Sequence, residues 1–365
     1  MIETIRPLDY AKQAVEMMME KFDAVKLPPE RFHYHQGVFL SGVYRTWKLC
    51  RIDSYFQYMK DYVDHYINED GTIRVYDPTQ LDDIQPGILI YPLLDATGEE
   101  KYKKALDILE KHLQEFPRCE CGGYWHKVMH PYQMWLDGLY MAGPLEAEYS
   151  ERFGRPDLAE NVVRQAELMW EKTRDEKTGL MCHAWDESRK EFWADPETGR
   201  SPEIWGRSVG WVPNALLDDL DHIDPKGAGA PLVEILKSLL PAVSRYQDEE
   251  GYWYQIIDKA DREDNWREIS CTCLFTCALA GAVRRGILPK EYLENANRGY
   301  EAVIKSLVWD EHGRIQIGGI CIGTGVGEYP FYAARPVCTN DLHGVGAFLL
   351  MCAEMEQVYD EILKK

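Results

Sequence analysis

The sequence predicts an all-α fold in which six inner and six outer helices form a closed double ring. Helical periodicity recurs twelve times along the 365 residues, and no linker rich in Pro, Gly or Ser divides the chain. Six antiparallel helix pairs must close on themselves to bury their apolar inner faces. We therefore expect a single domain over 1–365, with the first and last helices packed side by side.

The predicted helices are divided evenly between the two halves of the chain. Those in the first half are 10–22, 34–49, 55–67, 84–96, 101–115 and 132–149. Those in the second half are 155–173, 204–220, 230–246, 270–285, 290–307 and 340–363. Apolar stretches with small residues, such as GVGAFLLMCAEM, indicate inner helices, whereas KYKKALDILEKHLQ has the charged face of an outer one.

Three segments between the helices have the character of short strands and loops. They are GLMCHAWDE at 179–187, GYWYQIID at 251–258 and GRIQIGGICIGTGVGEYP at 313–330. We expect them to border one end of the barrel and the functional cleft to lie there. The glycines of the last segment lack the strand, Lys-Ser/Thr and helix of a phosphate loop, so they indicate turns.

The composition limits the classes of partner and compartment. The formal charge of −20 and pI near 5.0 argue against nucleic acid or an anionic membrane as partner. The 11 Trp and 22 Tyr residues suit a sugar-binding cleft or a large aromatic core. The start MIETIRPLDYAKQAVEMMMEKF indicates an amphipathic helix without an apolar signal region, so we predict a cytoplasmic protein with reduced cysteines.

The stretch that follows His130 places one carboxylate, Asp137, in an aromatic and apolar segment. Pro131 fits the first position of the predicted helix, and helical spacing puts Asp137 on one face with Gln133, Met134, Tyr140 and Met141. Burial on such a face raises the pKa of a carboxyl group, which favours a protonated general acid. The alternative is that Asp137 caps a loop or pairs with a buried arginine.

Further polar and aromatic side chains follow the ends of the predicted helices. Four could bind a carboxylate or hydroxyl groups, and two tryptophans could stack on a sugar ring. These are Lys127, His126, His183 and Arg207, with Trp205 and Trp211. Core packing for the tryptophans and surface positions for the rest are the alternatives.

Two smaller groups of residues leave questions open at this stage. Asp82 and Asp83 precede a predicted helix, so one fits an N-cap and the other can face the cleft. The sequence does not decide between them. Zinc is the less favoured explanation for the cysteines, because no paired C-x-x-C occurs; the residues concerned are Cys119, Cys121, Cys271, Cys273 and Cys277.

An ordered set of motifs resembles the unsaturated rhamnogalacturonyl hydrolases of glycoside hydrolase family 105. The motifs are HYHQGVFLSG, LDDIQPG, GYWHK, PYQMWLDGLYMAGPL, WGRSVGW and TNDLHGVGAFLLMCAEM, and they run from about residue 34 to residue 355. The resemblance implies an (α/α)6 barrel. It agrees with the twelve helices predicted from periodicity alone.

The resemblance also implies a reaction and a set of site residues. Asp137 would donate a proton to C4 of a 4,5-unsaturated uronic acid and then accept one from the water that adds at C5. The opened hemiketal would release the next sugar, typically rhamnose, from a pectin-derived oligosaccharide. The implied substrate-binding residues are Asp82, His126, Lys127, His183, Trp205, Arg207, Trp211, Tyr34 and His35. No metal or organic cofactor is implied, and the choice between galacturonyl and glucuronyl substrates stays open.

Two other enzymes and one non-enzyme remain as alternatives. A relative acting on unsaturated glycosaminoglycan disaccharides would share the architecture. A sugar epimerase would need paired histidines as base and acid, for which His126, His183 and His343 are available. A non-catalytic sugar-binding protein of stacked helices would keep the tryptophans but would not need Asp137.

Overall fold

The computed structural model describes residues 5–363, and α-helices form most of this part of the chain. In chain order the helices are α1 (Pro7–Lys21), α2 (Tyr34–Cys50), α3 (Asp53–Tyr66), α4 (Ile90–Thr97), α5 (Glu100–Glu115), α6 (Asp137–Phe153), α7 (Pro156–Thr173), α8 (Gly206–Asp219), α9 (Ala230–Ser244), α10 (Ile269–Arg284), α11 (Leu293–Ser306), α12 (Tyr329–Ala333) and α13 (Leu342–Val358). A π-helical turn, Tyr359–Leu363, follows α13.

Short strands form three antiparallel pairs between these helices. The pairs are β1 (Gln133–Trp135) with β2 (Ala184–Asp186), β3 (Val308–Trp309) with β4 (Ile315–Gln316), and β5 (Ile320–Cys321) with β6 (Val337–Cys338). Each pair is a separate two-stranded sheet. They connect helices and do not form a layer of their own.

Six helices close an inner ring. α13 packs on α2 and on α10, α10 packs on α8, and α8 packs on α6. Between α6 and α2 lies α4 with the 3₁₀ turn Gln85–Leu89 that precedes it. The outer helices α1, α3, α5, α7, α9 and α11 pack on α13, α2, α4, α6, α8 and α10, respectively. The predicted barrel is confirmed, as is the predicted contact between the first and last helices.

Residue size and burial explain which helices are inner and which are outer. In α10 every residue from Ile269 to Val283 is buried, whereas α5 buries a single stripe that includes Leu106 and Leu113. Close packing of α2 on α13 requires glycine. A Cβ atom at Gly346 would lie 2.7 Å from the backbone nitrogen of Phe39, closer than real Cβ contacts.

Two predicted helix starts are wrong. The helix predicted over 132–149 begins only at Asp137, because Gln133–Trp135 pairs with Ala184–Asp186 as a strand. Tyr132 has a left-handed backbone with φ of +65°, so Pro131 does not begin the helix, and Gln133 and Met134 do not share a helical face with Asp137. The helix predicted from residue 84 begins with 3₁₀ geometry, and the α-helix starts at Ile90.

The three predicted loop segments lie at the end of the barrel where the inner helices begin. β2 belongs to the first segment, the 3₁₀ turn Ile257–Lys259 to the second, and β4 and β5 to the third. Bridges connect Trp205 to Ile256 and Tyr254 to Arg267. Within residues 5–363, no helix combines the length and the apolar character needed to cross a lipid bilayer.

Candidate active site

The candidate site lies where the N-terminal ends of the inner helices converge. α2 begins at Tyr34, α6 at Asp137, α8 at Gly206, α10 at Ile269 and α13 at Leu342. Each helix start carries a partial positive charge from its unpaired backbone N–H groups. Several such starts together favour an anion at this end, although the protein as a whole is strongly acidic.

Asp137 and His183 form a hydrogen-bonded pair at the start of α6. The Oδ2 atom of Asp137 lies 3.1 Å from Nε2 of His183, and the Asp137 side chain is 14% exposed. The β1–β2 pairing brings the two residues together, because the N–H of Leu136 donates to the carbonyl of His183 at 3.0 Å. His183 is completely buried. The loop at 182–186 therefore provides the partner of Asp137.

The pKa of Asp137 lies below its ordinary value. Burial is the largest single influence and raises this pKa, but the interactions with His183 and His126 together outweigh burial. Burial lowers the pKa of His183, so its imidazole is neutral near pH 7 and acts on the carboxylate as a hydrogen-bond donor. The prediction that Asp137 is protonated in the free protein is therefore wrong, because sequence spacing does not show an imidazole 46 positions away.

Asp82 forms a second cluster with His126 and Lys127. Its carboxylate oxygens lie 2.5 Å from Nζ of Lys127 and 3.3 Å from Nε2 of His126. Burial raises the pKa of Asp82, but these two partners outweigh burial and hold that pKa well below its ordinary value. Asp83 is instead completely buried and pairs with Arg31 at 2.7 Å. Asp82 is thus the carboxylate that belongs to the site.

Trp135 connects the two clusters. Its ring lies 4.4 Å from the ring of His126 and 5.7 Å from that of His183, measured between centroids. Asp137 begins α6 two residues after this tryptophan. Sequence reasoning did not select Trp135, although it lies in the same motif as Asp137.

Trp205 and Arg207 border the site at the start of α8. The ring of Trp205 lies 4.7 Å from that of His183, and the guanidinium carbon of Arg207 lies 4.4 Å from the Trp205 ring centroid. Arg207 donates to the carbonyl oxygens of Cys321 at 2.6 Å and Ile322 at 2.8 Å, and its side chain is 2% exposed. Arg207 therefore holds the segment after β5 in place, and its predicted contact with an anion stays a prediction.

Two further predicted site residues, Tyr34 and His35, lie in the first turn of α2. Tyr34 begins α2 and interacts with the charges of Arg207, Asp82 and Asp137, and burial raises the pKa of its phenol. His35 follows Tyr34 in the first turn of α2. The structure thus brings Tyr34 into the site.

Trp211 lies apart from the pairs that form the site. It is 1% exposed, and its ring stacks on Tyr140 with 4.7 Å between centroids. This contact places Trp211 in the hydrophobic core one to two turns along α8. Its predicted contact with the substrate stays a prediction.

Two groups of side chains have the donor types that metals bind. His35, Asp341 and His343 have ligand atoms within 4.8 Å of one another. Nδ1 of His343 already lies 2.6 Å from Oδ1 of Asp341, and the start of α13 and the charge of Arg207 oppose a cation at Asp341. We assign no metal to this group.

The second group consists of Cys119, Cys121 and Glu187. Burial raises the pKa of the Cys119 thiol, which opposes the thiolate that a metal requires. The Glu187 carboxylate already accepts hydrogen bonds from the N–H groups of Glu120 and Cys121. We assign no metal here either.

Comparisons with known proteins identify one family and several relatives. The family model described as Glycosyl Hydrolase Family 88 matches residues 10–359. Protein Atu3128 of Agrobacterium fabrum (strain C58 / ATCC 33970) is 34% identical over 228 residues, which are 59% of this chain and 97% of that protein. The unsaturated rhamnogalacturonyl hydrolase YesR of Bacillus subtilis (strain 168) is 26% identical over 297 residues, 80% of this chain and 79% of the relative.

A solved structure extends this likeness to the fold. The glycoside hydrolase of family 105 from C. acetobutylicum ATCC 824 has a TM-score of 0.91 and 32% identity to this chain. The alignment covers 95% of this chain and 99% of that one.

Proposed function

The chain belongs to glycosyl hydrolase family 88 and its family 105 relatives, and we propose that it removes a 4,5-unsaturated galacturonyl residue from rhamnogalacturonan-derived oligosaccharides. It is a glycoside hydrolase of the unsaturated uronyl class. The name of the Bacillus subtilis relative supports the choice of substrate. The proposed bond lies at the non-reducing end, and rhamnose is the proposed leaving sugar.

One observation carries the proposed mechanism, namely that the two carboxylates of the site have different partners. Asp82 is paired with Lys127 and His126, so it stays ionised and has no proton to donate. Among the residues that the structure describes, Asp137 accepts one side-chain hydrogen bond, through Oδ2, from neutral His183. Ordinary glycosidases need an acid and a base on two carboxyl groups. Hydration of a double bond needs one group that exchanges a proton, and Asp137 fits this role.

The proposed steps follow from that single group. Asp137 is ionised in the free protein, and the carboxylate of a bound uronic acid raises its pKa as a like charge, which lets Asp137 take up a proton. Asp137 then protonates C4 of the substrate, and a water molecule adds its oxygen to C5. One proton of that water stays on the new C5 hydroxyl group, and Asp137 accepts the other. The C5 hemiketal opens, the C1–O bond to the next sugar breaks, and that sugar leaves with a hydroxyl group.

Local charges support an anionic substrate in an acidic protein. The inner-helix starts direct partial positive charge towards the site, and Arg207 and Lys127 add two cations within it. We propose that these groups attract and orient the uronate. A local and partly desolvated charge outweighs a distant and screened one, so the net charge of −20 does not prevent binding.

The proposal also includes pectin breakdown in the cytoplasm by a single catalytic domain over 1–365. The ten cysteines are all free thiols in the structure, which fits a reducing compartment. The closed inner ring of helices gives no sign of a boundary between domains.

One assay tests reaction and substrate together. The purified protein is incubated with unsaturated galacturonyl-rhamnose, and the ultraviolet absorbance of the conjugated double bond and the release of rhamnose are followed in parallel. We expect both signals to change at the same rate. If absorbance falls only with an unsaturated glucuronyl disaccharide, the protein acts on glucuronyl and not on galacturonyl substrates. Rhamnose release from a saturated disaccharide would overturn the hydration mechanism.

A further inference from the structure

Tyr332 lies behind the catalytic pair, on the side of His183 that faces away from Asp137. It belongs to the short helix α12 and is completely buried. Its hydroxyl oxygen lies 2.6 Å from Nδ1 of His183, although the two residues are 149 positions apart. The N–H of Gly327 donates to the same hydroxyl oxygen at 3.3 Å. Tyr332 therefore connects the glycine-rich loop before α12 to the imidazole that holds Asp137.

The hydrogen bonds along this connection can run in only one direction. The carboxylate of Asp137 is an acceptor, so Nε2 of His183 must carry the proton that lies between them. A neutral imidazole has one N–H group, which leaves Nδ1 as an acceptor. The hydroxyl of Tyr332 supplies the proton for Nδ1, because burial raises the pKa of this phenol well above its ordinary value. Gly327 N–H, Tyr332 O–H and His183 Nε2–H thus donate in sequence towards Asp137.

The opposite tautomer of His183 would change the state of Asp137. With its proton on Nδ1, the imidazole would present the lone pair of Nε2 to the carboxylate at 3.1 Å. This contact is repulsive while the carboxylate is ionised, and it would remove the hydrogen bond that lowers the pKa of Asp137. In this tautomer the buried hydroxyl of Tyr332 would also lose Nδ1, the acceptor that it has among the described residues, so Tyr332 adds to the preference that the Asp137 carboxylate sets.

We propose that Tyr332 is a positioning residue that fixes His183 in the Nε2–H tautomer and thereby orients Asp137 for proton exchange with the substrate. This inference rests on the proposed function, in which Asp137 is the group that exchanges the proton. Tyr332 acts only through His183 and does not touch the substrate. The hydroxyl group, and not the aromatic ring, is the part that carries the role.

Other groups around His183 are accounted for in this proposal. The ring faces Asp137 from α6, Trp135 from β1, and Trp205 and Arg207 from α8. His126 also acts on His183 from the segment before β1. His126 and Arg207 favour a neutral imidazole, and Asp137 favours a charged one. Tyr332 is the partner that lies within hydrogen-bonding distance of Nδ1.

The test replaces one hydroxyl group and uses a neighbouring tyrosine as control. Tyr332→Phe removes the donor to His183 with almost no change in shape. Tyr329→Phe removes a hydroxyl from the same helix, where Tyr329 donates to Asp264 at 2.7 Å and packs in the same aromatic cluster. Thermal unfolding of both variants checks that they are folded. A His183→Asn variant assigns the His183 signals in spectra of protein labelled with ¹⁵N-histidine.

The nitrogen spectra and the kinetics give separate readouts. In the unmodified protein we expect His183 to show a protonated Nε2 and an unprotonated Nδ1. In Tyr332→Phe we expect a mixture of tautomers, a fall in kcat of about tenfold, a KM within about twofold, and an upward shift in the limb of the pH profile that reports Asp137. Tyr329→Phe should leave all four quantities unchanged.

Two outcomes would overturn the inference. One is a protonated Nδ1 of His183 in the unmodified protein, which needs no variant to detect. The other is a Tyr332→Phe protein with the original tautomer and pH profile. The spectra need no substrate, so a protein that shows the expected tautomers but hydrates no unsaturated uronic acid would contradict the proposed function and not the role of Tyr332 towards His183.

Discussion

The two ends of the barrel are built from the same inner helices but have opposite polar chemistry. At the end where these helices begin, Asp137 and Asp82 are held by histidines and one lysine. At the end where they finish lies a cavity of about 730 Å³. Its lining includes arginines paired with carboxylates: Arg45 with Asp218 at 2.5 Å, Arg284 with Glu354 at 2.5 Å, and Arg285 with Asp221 at 2.9 Å.

Helix polarity gives a physical reason for this difference. Helix ends carry partial negative charge at their C-terminal carbonyl groups, which arginines complement, and partial positive charge at their starts, which carboxylates complement. The arginines of the far cavity are occupied: Arg45 reaches both carboxylate oxygens of Asp218, at 2.5 and 2.6 Å. By contrast, Oδ1 of Asp137 accepts no hydrogen bond from the described residues. The reactive end therefore differs from the far end in having a carboxylate held by an imidazole with one oxygen still open, whereas the arginines of the far cavity are paired.

The largest expected effect comes from removing the proton-exchanging group at the reactive end. Asp137→Asn keeps the size of the side chain but can neither protonate C4 nor accept a proton from water. Each role is typically worth about 10²- to 10⁴-fold, so turnover should fall by several orders of magnitude while the protein stays folded. Steady-state kinetics and a thermal unfolding curve measure the two quantities.

Asp218→Asn at the far end is the matched control for this variant. It should lower stability, because it weakens the pair with Arg45, and leave kcat of the folded protein within about twofold. Activity in Asp137→Asn above about one per cent of the unmodified protein would move the catalytic role elsewhere, first to Asp82.

A smaller effect is expected from Arg207, an arginine at the reactive end without a close carboxylate partner among the described residues. Arg207 lies 4.0 Å from Glu268 and donates to two backbone carbonyl groups. Arg207→Ala should weaken the binding of the unsaturated disaccharide by about 2 to 4 kcal/mol, the value of a charge-assisted contact. Calorimetry in the Asp137→Asn background measures this affinity without turnover.

Arg207→Lys separates the charge of this residue from its planar geometry. Lysine keeps the charge but cannot hold the carbonyl oxygens of Cys321 and Ile322 as a fork does. An intermediate affinity supports a direct role of the charge. Unchanged affinity and rate in Arg207→Ala would show that the residue only supports the segment after β5.

Periodicity was sufficient to predict the ring of helices but not the start of α6. All twelve predicted segments contain an observed helix, because inner and outer helices differ in composition along their whole length. At Pro131 the rule that proline favours the first position of a helix gave the wrong start. Pairing of Gln133–Trp135 with a strand 50 residues later outweighed local preference, and a short window of sequence does not contain that partner.

The site shows the same limit at the level of single side chains. The resemblance selected Asp137, Asp82 and His183, and the structure brings Asp137 and His183 into contact. Sequence did not decide between Asp82 and Asp83, because their partners lie 45 and 52 positions away. The pKa of Asp137 was predicted in the wrong direction for the same reason. Distant hydrogen bonds set both properties, and spacing along one helix does not reveal them.

At the far end, breaking one arginine pair should reduce stability and not catalysis. The side chains of Arg45 and Asp218 are 25% and 16% exposed, so this pair is only partly screened by water. Arg45→Met should lower the free energy of unfolding by about 2 kcal/mol, because it leaves the Asp218 carboxylate without its partner. Urea unfolding measures the loss, and kcat should stay within about twofold.

Arg155→Met provides the exposed counterpart. Arg155 and Asp157 are 39% and 59% exposed and form an ion pair at 2.6 Å. The loss here should be below about 1 kcal/mol, as for surface pairs in general. Equal losses in the two variants would mean that the far cavity is as open to solvent as the protein surface. A large fall in kcat for Arg45→Met would show that the two ends are coupled.

The smallest effect on activity is expected at a carboxyl group between the two ends, on the outer side of α6. Glu146 is 2% exposed and accepts hydrogen bonds from Asn161 at 2.8 Å and Tyr124 at 3.1 Å. Burial raises the pKa of Glu146 to about 8, with a further contribution from the charge of Glu110. In the unfolded chain a glutamate has a pKa of about 4.3, so between about pH 4.3 and 8 the folded protein binds more protons than the unfolded one.

Stability should therefore fall as the pH rises through this window and level off above it. Glu146→Gln keeps a neutral side chain at every pH, so its free energy of unfolding should depend less on pH, by about 3 to 4 kcal/mol between pH 5 and pH 8 for pKa values of about 8 and 4.3. Urea unfolding at both pH values measures the difference, with the exposed Glu160→Gln as control. Since Glu146 lies away from both the reactive end and the arginine pairs, kcat should not change. A pH dependence identical to that of the unmodified protein would show that Glu146 is ionised in the folded state and that its hydrogen bonds to Asn161 and Tyr124 outweigh burial, as the combined interactions with His183 and His126 do at Asp137.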